Sequence, residues 1–303
     1  MSRSRRPALV GEMCAEFAGT MILILFGVGV VAQVTTSQDG ALGDHDSIAW
    51  AWGLGVTLGV YVAARLSGAH LNPAVTLALA VFKGFSWRKV LPYTLAQTLG
   101  AFVAALVVRV SYADLIAAVD PEHTIATQGI FSTLPGNGAA DVSISSAFVD
   151  QVVGTAILVF LVLALTSAWN NPPMANLGPF VIGLVVVAIG MAWGANAGYA
   201  INPARDFGPR IASLITGYGG AMRDQNGYLY FWLPIVAPLV GGLVGGALFK
   251  LLVDDHLTDP DEEQTEQVTP DGGREAVGEP IPEPQDQHQP QDQHQRQAQP
   301  AAR

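Results

Sequence analysis

The chain has 303 residues, of which 50% are hydrophobic and only 13% are charged, whereas about a quarter of the residues in a typical soluble protein are charged. The formal net charge is −10, but residues 254–303 hold 13 Asp and Glu against three Arg, so the first 253 residues are neutral. No basic stripe indicates a nucleic-acid partner, and the single cysteine, Cys14, excludes a disulfide framework and a cysteine-based metal site. The composition predicts a membrane protein.

Six segments approach or exceed the roughly 20 apolar residues that are needed to cross the hydrocarbon core of a bilayer. These spans are predicted at 9–34, 48–64, 90–110, 147–168, 179–197 and 230–253. The first span follows the basic start MSRSRR, but it is 26 residues long and contains Glu16 and Gln33. We therefore interpret it as a retained membrane helix rather than a signal peptide.

Lys and Arg lie at one end of the predicted spans. They precede the first span, flank the segment between the second and third spans, and close the sixth: Arg3, Arg5, Arg6, Arg65, Lys83, Arg88, Lys89 and Lys250. The loops at 35–47 and 111–143 contain neither residue type. The positive-inside rule therefore predicts a multi-pass protein of the cell membrane with both termini in the cytoplasm.

The two halves of the chain, about 9–110 and 144–253, repeat each other. EFAGTMIL at 16–23 resembles QVVGTAIL at 151–158, and Gly53 precedes Asn72 by 19 residues, as Gly183 precedes Asn202. Each half has three spans, and because three is odd, the second half is predicted to be inverted in the membrane. Four small-xxx-small pairs predict close helix packing: Gly55/Gly59, Gly190/Gly194, Gly241/Gly245 and Gly242/Gly246.

The motif Asn-Pro-Ala occurs once in each half. The two copies are Asn72, Pro73, Ala74 and Asn202, Pro203, Ala204. Asn is a preferred N-cap and Pro is favoured at the first helical position, so each copy predicts a helix start. The first helix has room for about ten residues before Lys83, which is roughly 15 Å or half the hydrocarbon core. The second is also short, from Pro203 to about residue 216.

Half-length helices must dip into the membrane and be joined to the preceding span by non-helical chain, which is tolerated there only inside protein or along a water-filled cavity. The returning chains are predicted at 67–71 and 197–201. Their carbonyls are expected to line a lumen, namely those of Gly68, Ala69, His70, Leu71, Ala200 and Ile201. In an inverted repeat the two Asn-capped N-termini meet near the midplane, where each adds about half a positive charge. This arrangement predicts a pore that repels cations and protons and passes neutral molecules.

At these motifs the sequence closely resembles the aquaporin family, and in particular its glycerol-facilitator branch. SGAHLNPAVT and GYAINPARDFGPR carry the resemblance, which covers about residues 8–253. It implies an all-α membrane protein with six transmembrane helices, two re-entrant half-helices and an inverted three-span repeat. It also implies a homotetramer with one pore per subunit, and a passive channel without catalytic residues, cofactor or metal.

The resemblance also places a selectivity filter at Trp52, Gly190, Tyr199 and Arg205. Water-selective members usually have His where this chain has Gly190, so Gly190 is expected to leave room for a carbon chain. Trp52 and Tyr199 would form an apolar corner, and the guanidinium of Arg205, which cannot be deprotonated, would bind hydroxyls and repel cations. Glycerol, with one apolar edge and one hydroxyl edge, fits this filter, and water is expected to pass as well.

Supporting residues are assigned on the same basis, and two residues depart from the family pattern. Glu16 resembles a strut that holds a returning chain through backbone N–H groups, and Gln151 stands where the family usually has the matching Glu. We expect Gln151 to accept with its carbonyl, with Asp150 as a neighbour that could substitute. Tyr199 stands where well-known glycerol facilitators have Phe. Asp206 is an acid at the start of the second half-helix, as in the glycerol branch, and its carboxylate there interacts favourably with the helix dipole.

Three alternative functions stay open at this point. Because Tyr199 could narrow the filter, the chain could be a water-selective channel. An ion-coupled secondary transporter also uses inverted repeats and broken helices, but it commonly needs intramembrane ionisable groups, and Glu16 is nearly alone here. A structural membrane protein with a closed pore is disfavoured by the intact glycines, by Arg205 and by both Asn residues.

The segment 254–303 is predicted to be a separate cytoplasmic tail, as residues 1–8 are predicted to be a cytoplasmic start. The tail is rich in Asp, Glu, Gln and Pro and contains PQDQHQ twice in succession. Such a composition cannot bury a core, so disorder is expected. Its His288 and His294 are interpreted as part of a linker rather than as metal ligands.

Overall fold

The computed structural model describes residues 8–37 and 40–258. From residue 259 onward, the tail predicted at 254–303 lies outside this part, as do residues 1–7 and 38–39. Within it the α-helices are α1 (Leu9–Thr36), α2 (His45–Ser67), α3 (Pro73–Phe82), α4 (Trp87–Ser111), α5 (Ala113–Val119), α6 (Ile125–Gln128), α7 (Ile144–Thr166), α8 (Gly178–Ala197), α9 (Pro203–Ile215) and α10 (Leu233–Leu252). Two short 3₁₀ turns lie at Pro135–Gly138 and Asp254–His256.

The helices α1, α2, α4, α7, α8 and α10 are long and apolar enough to cross a membrane. The six predicted spans are therefore confirmed, and their ends differ from the predicted ones by three residues or fewer. Part of the difference comes from polar caps that start a helix before its apolar run begins. Asp44 Oδ1 accepts a hydrogen bond from Ser47 N at 3.0 Å, so α2 starts at His45 rather than at residue 48.

The two repeats pack in the same way. In the first, α1 packs on α2 and α4, and in the second, α7 packs on α8 and α10. Each half-helix packs on the last span of the other repeat, α3 on α10 and α9 on α4, while α2 and α8 pack together across the centre. The predicted all-α fold with an inverted three-span repeat and two half-helices is confirmed.

The connections define two sides of the helix bundle. We call the side at which α1 begins the N-terminal side, and it also carries the connections at 83–86 and 167–177. The opposite side, called the far side, carries the connections at 37–44, 112–143 and 216–232. The half-helix α3 ends toward the N-terminal side and α9 toward the far side.

Three of the four predicted glycine pairs lie at helix crossings. A methyl group at Gly55 would lie 3.0 Å from Leu23 O of α1, and one at Gly242 would lie 2.9 Å from Ala74 O of α3. Gly241 and Gly245 meet the α7 backbone in the same way. The pair Gly190/Gly194 differs, because a methyl group there would mainly meet the rings of Tyr199 and His45.

The 112–143 connection contains structure that the sequence did not predict. The helices α5 and α6 are only seven and four residues long, too short for a periodic signal. Burial of Ile116, Ile130 and Phe131 in the core holds the connection against the bundle. It therefore forms a fixed part of the far-side surface.

Candidate functional site

The two Asn-Pro-Ala motifs meet inside the bundle through reciprocal hydrogen bonds. Asn72 Nδ2 donates to Ile201 O and Asn202 Nδ2 donates to Leu71 O, both at 2.8 Å. The side-chain oxygens cap the half-helices: Asn72 Oδ1 accepts from Ala74 N at 2.8 Å, and Asn202 Oδ1 accepts from Ala204 N at 3.0 Å. Each Asn thus uses its oxygen and one N–H within the protein, which leaves its second N–H for other partners.

The first returning chain turns sharply out of α2. Gly68, at φ 86°, ends the helix, and Ala69 and Leu71 also adopt left-handed backbone at φ 51°, which is uncommon for residues other than glycine. Glu16, which is fully buried, holds this conformation. Its carboxylate accepts from His70 N at 2.9 Å and from Leu71 N at 2.7 Å.

The second returning chain is held differently. Gly198 ends α8 at φ 66°, and Gln151 takes the place that Glu16 has in the first repeat. Gln151 Oε1 accepts from Ile201 N at 3.0 Å, while its Nε2 donates to Ala197 O at 2.7 Å. The expectation that Gln151 accepts through its carbonyl agrees with this geometry. Asp150 does not replace it, because Asp150 bonds Asn196 in the last turn of α8.

Two cavities follow one another across the bundle. An inner cavity of about 80 Å³ is lined by both motif asparagines and by parts of both returning chains. An outer vestibule of about 290 Å³ opens toward the far side. Of the predicted carbonyl residues, Ala69, His70, Leu71, Ala200 and Ile201 line the inner cavity, whereas Gly68 lines neither.

Three of the four predicted filter residues line both cavities and therefore lie at their junction: Trp52, Tyr199 and Arg205. The Arg205 guanidinium lies 4.0 Å from the centre of the Trp52 ring and 6.0 Å from that of Tyr199. Such cation–π contacts are worth about 2 kcal/mol when they are desolvated. Within the described part, the Arg205 side chain has no hydrogen-bond partner, so its N–H donors are free at the junction.

Gly190 lies behind this junction rather than in it. A methyl group at Gly190 would lie 3.0 Å from Tyr199 Cζ and 3.1 Å from Ala49 Cβ. The Tyr199 ring therefore occupies the space that Gly190 leaves open. The sequence predicted that the carbon chain of the permeant would occupy this space instead.

Asp206 does more than favour the helix dipole. Both Asp206 and Arg210 are fully buried and form an ion pair at 2.8 Å. Asp206 also accepts from Thr133 N and Oγ1, and Arg210 donates to Thr133 O and Ala221 O. The pair thereby fastens the 112–143 connection to α9. Arg210 was missed by the sequence analysis, although an acid and a base four residues apart on one helix were a usable signal.

Two further residues that shape the site, Gly27 and His45, gave no signal in the sequence. Trp52 packs its six-membered ring against Gly27, where any side chain would collide with it. His45 lines the outer vestibule and places Nε2 at 2.9 Å from Gly190 O. Both contacts join residues of different helices, so no local pattern marks them.

His70 lies on the inner cavity, and its ring is engaged by the protein. Its Nδ1 is 3.1 Å from Thr76 Oγ1, and the ring packs on Phe85 and Tyr93 at centre distances of 4.5 and 5.0 Å. These contacts give the His70 side chain a structural role.

Glu16, which the sequence indicated to be nearly alone among intramembrane ionisable groups, is accompanied in the helices by buried Glu12, Asp150 and Asp206. Glu12 pairs with Lys89 at 2.7 Å on the N-terminal side. None of these four carboxylates lines the inner cavity or the outer vestibule, so none is placed to bind a co-transported ion there.

Asp120 stabilises the 112–143 connection next to the vestibule. Burial raises the pKa of its carboxyl, but hydrogen bonds from Thr127 Oγ1 at 2.7 Å and Thr124 N at 2.8 Å outweigh this effect, and the net pKa lies below the ordinary value. Within the described residues, no group of three or more His, Cys, Asp and Glu is arranged to hold a metal ion.

Comparison with known proteins gives relatives that share most of the chain. It is 44% identical over 247 residues to aquaglyceroporin-2 of Rhizophagus irregularis, covering 80% of this chain and 77% of that protein. It is 40% identical over 263 residues to the glycerol uptake facilitator protein of Escherichia coli strain K12, covering 84% and 92%.

A solved structure shows the same fold. The X-ray structure of the aquaglyceroporin from Plasmodium falciparum is similar with a TM-score of 0.73 at 33% identity, covering 82% of this chain and 98% of that one. The family described as major intrinsic protein matches residues 3–249. With the paired motifs, the inverted repeat and these relatives in agreement, the chain belongs to the major intrinsic protein family, the aquaporin family that its motifs resemble.

Proposed function

We propose that the protein is a passive channel for glycerol and related small neutral polyols, that it also conducts water, and that it excludes ions and protons. It is a multi-pass membrane channel and not an enzyme. The relatives named as an aquaglyceroporin and a glycerol uptake facilitator support the choice of permeant.

The observation that carries this proposal is the chemical asymmetry of the junction between the two cavities. Trp52 and Tyr199 present aromatic rings at the junction, and Arg205, which lies over the Trp52 ring, presents free N–H donors beside them. A polyol has carbon on one edge and hydroxyls on the other, so its carbon edge packs on the rings while its hydroxyls accept from Arg205. Deeper in the inner cavity, the unused N–H groups of Asn72 and Asn202 are the next donors.

Exclusion of cations follows from the charges along the same path. Arg205 keeps its charge at every physiological pH, and the N-termini of α3 and α9 add about half a positive charge each. No carboxylate lines either of the two described cavities to offset them. A cation would therefore meet net positive potential without a compensating carboxylate.

The test is light scattering of proteoliposomes in a glycerol gradient, with osmotic water flux measured on the same vesicles. Glycerol entry well above protein-free vesicles, without saturation and without dependence on ion gradients, is the expected result. Saturable, ion-dependent entry would instead indicate the secondary transporter, and background entry of both solutes a closed pore.

A water-selective channel is the second candidate, and one observation favours it. Because the Tyr199 ring fills the space over Gly190, the junction is narrower than the glycine alone suggests. Fast water flux with background glycerol entry would establish this alternative.

We further propose that the channel is a homotetramer with one pore per subunit in the cell membrane, with the N-terminal side facing the cytoplasm. The excess of Lys and Arg on that side supports the orientation. Accessibility of single cysteines introduced at residues 174 and 228 to a membrane-impermeant reagent, after replacement of Cys14, tests it. Labelling from outside is expected only at residue 228.

A further inference from the structure

His45 forms a wall of the outer vestibule that the motifs do not include. It is the first residue of α2, directly after the Asp44 cap. It lines the vestibule together with Trp52, Tyr199 and Arg205. Its imidazole is the only titratable side chain of α2 that lines the vestibule.

The hydrogen bond of the ring determines which nitrogen is available to a permeant. Nε2 lies 2.9 Å from Gly190 O, and because a carbonyl oxygen only accepts, Nε2 carries the proton. In the neutral ring Nδ1 then holds a lone pair and can accept a hydrogen bond. Within the described part of the chain, Nδ1 has no partner.

Gly194, the second glycine of the Gly190/Gly194 pair, leaves the space that the His45 ring occupies. A methyl group at Gly194 would collide with His45 Cε1, so only glycine admits the ring here. His45 also meets the Tyr199 ring edge to face, with centres 6.4 Å apart at an angle of 86°. The imidazole is therefore held in one place, and it supports the filter tyrosine from the far side.

We propose that His45 is a specificity-determining residue of the channel, whose Nδ1 accepts a hydrogen bond from a permeant hydroxyl as that hydroxyl approaches Arg205. The inference rests on the proposed function and deepens it. A hydroxyl both donates and accepts, whereas Arg205 only donates. His45 Nδ1 supplies an acceptor for the hydrogen of that hydroxyl on the vestibule side, and leaving such a hydrogen unpaired is costly for a desolvated group.

The test compares His45→Ala, which removes the acceptor, with His45→Gln, which keeps a donor for Gly190 O and an acceptor for the permeant hydroxyl. A glutamine amide can donate to Gly190 O and accept through Oε1. Asp46→Asn is the matched control, because Asp46 is exposed in the same helical turn and lines neither cavity. Glycerol and water flux are measured for each variant in proteoliposomes with equal protein content.

His45→Ala is expected to lower glycerol flux about fivefold, which corresponds to about 1 kcal/mol at 1.4 kcal/mol per factor of ten. Water flux should fall less than about twofold, because a water molecule keeps a hydrogen bond to the next water in the pore. His45→Gln should restore most of the glycerol flux, and Asp46→Asn should leave both fluxes unchanged. Gly194→Ala, which displaces the ring from its seat, should reproduce His45→Ala.

An unchanged glycerol-to-water ratio in His45→Ala would overturn the inference while leaving the proposed function intact. Loss of glycerol flux that His45→Gln does not restore would also overturn it, since a packing role alone would then suffice. If the wild-type protein conducts water but no glycerol, the proposed function fails. The acceptor role assigned to His45 then fails with it, because no polyol hydroxyl reaches Arg205.

Discussion

Replacing Glu16 by Gln should destabilise the channel, although the second repeat has Gln at the equivalent place. In the first repeat the side chain meets only groups that donate or can donate. Oε1 accepts from Ser67 Oγ at 2.6 Å and His70 N at 2.9 Å, and Oε2 accepts from Leu71 N and Gln97 Nε2 at 2.7 Å each. Whichever way the amide of the substituted side chain is turned, its NH₂ group faces at least one backbone N–H.

The magnitude follows from the hydrogen bonds that are lost. At least one backbone N–H loses its acceptor, whereas the Ser67 hydroxyl and the Gln97 amide can turn to accept from the new NH₂ group. A buried unsatisfied donor costs about 1–3 kcal/mol. We therefore expect Glu16→Gln to lower the free energy of unfolding by about 1–3 kcal/mol. Glycerol flux should fall too, because residues 69–71 line the inner cavity.

The matched variant is Gln151→Glu. The second returning chain offers one donor, Ile201 N, and one acceptor, Ala197 O, at 3.0 and 2.7 Å. A carboxylate would place an oxygen against the Ala197 carbonyl, so the variant is expected to destabilise as well. Both are measured by denaturant titration in detergent micelles and by flux in proteoliposomes. A Glu16→Gln protein as stable as wild type, or a more stable Gln151→Glu protein, would refute this account of the struts.

Three further predictions concern the filter and the far-side connection. Gly190→His should lower glycerol flux more than water flux. A methyl group at this position would already lie 3.0 Å from the Tyr199 ring, so the larger imidazole pushes that ring into the pore. An unchanged ratio of glycerol to water flux would count against this filter. Asp206→Asn should lower the free energy of unfolding by about 3–5 kcal/mol, since it leaves the Arg210 charge buried and unpaired, and denaturant titration with Asp46→Asn as control checks this. The carboxyl of Asp120 has a lower pKa in the native protein than in the unfolded chain. Its contribution to stability is therefore full above the unfolded pKa of about 3.9 and is lost as the pH falls through the native pKa. Thermal unfolding between pH 3 and 6 should show a smaller acid-induced loss of stability for Asp120→Asn than for wild type.

Sequence alone predicted the spans, their inverted repetition and the two half-helices. These features depend on local and periodic properties: runs of about 20 apolar residues, Asn-Pro helix starts, and glycines that end α2 and α8 four residues before each motif. The Asn-Pro dipeptides predicted that Asn72 and Asn202 start helices, and the odd number of spans in each repeat predicted that these helix starts meet near the midplane. Trp52, Tyr199 and Arg205 were located by their resemblance to the family pattern around these motifs and do lie at one junction.

Glu16 and Gln151 show what sequence patterns could not predict, namely the groups that each side chain faces. From the sequence, Gln151 in place of Glu is a lost charge, and nothing local indicates what it faces. The structure shows that the first returning chain offers donors to Glu16, whereas the second offers a donor and an acceptor to Gln151. The residue types therefore fit their own surroundings, and the departure from the family pattern is compensated by the orientation of one carbonyl.

The topology thus follows from the sequence alone, because the cost of leaving backbone groups unpaired in hydrocarbon allows few ways to arrange six apolar runs and two Asn-Pro breaks. The shape of the pore depends instead on tertiary contacts. The Tyr199 ring over Gly190, the Trp52 ring against Gly27 and His45 over Gly194 each join residues of different elements, and the Asp206–Arg210 pair is completed by Thr133 from a distant connection. Such contacts depend on side chains that fit together across helices in three dimensions, and no spacing along the chain encodes that fit.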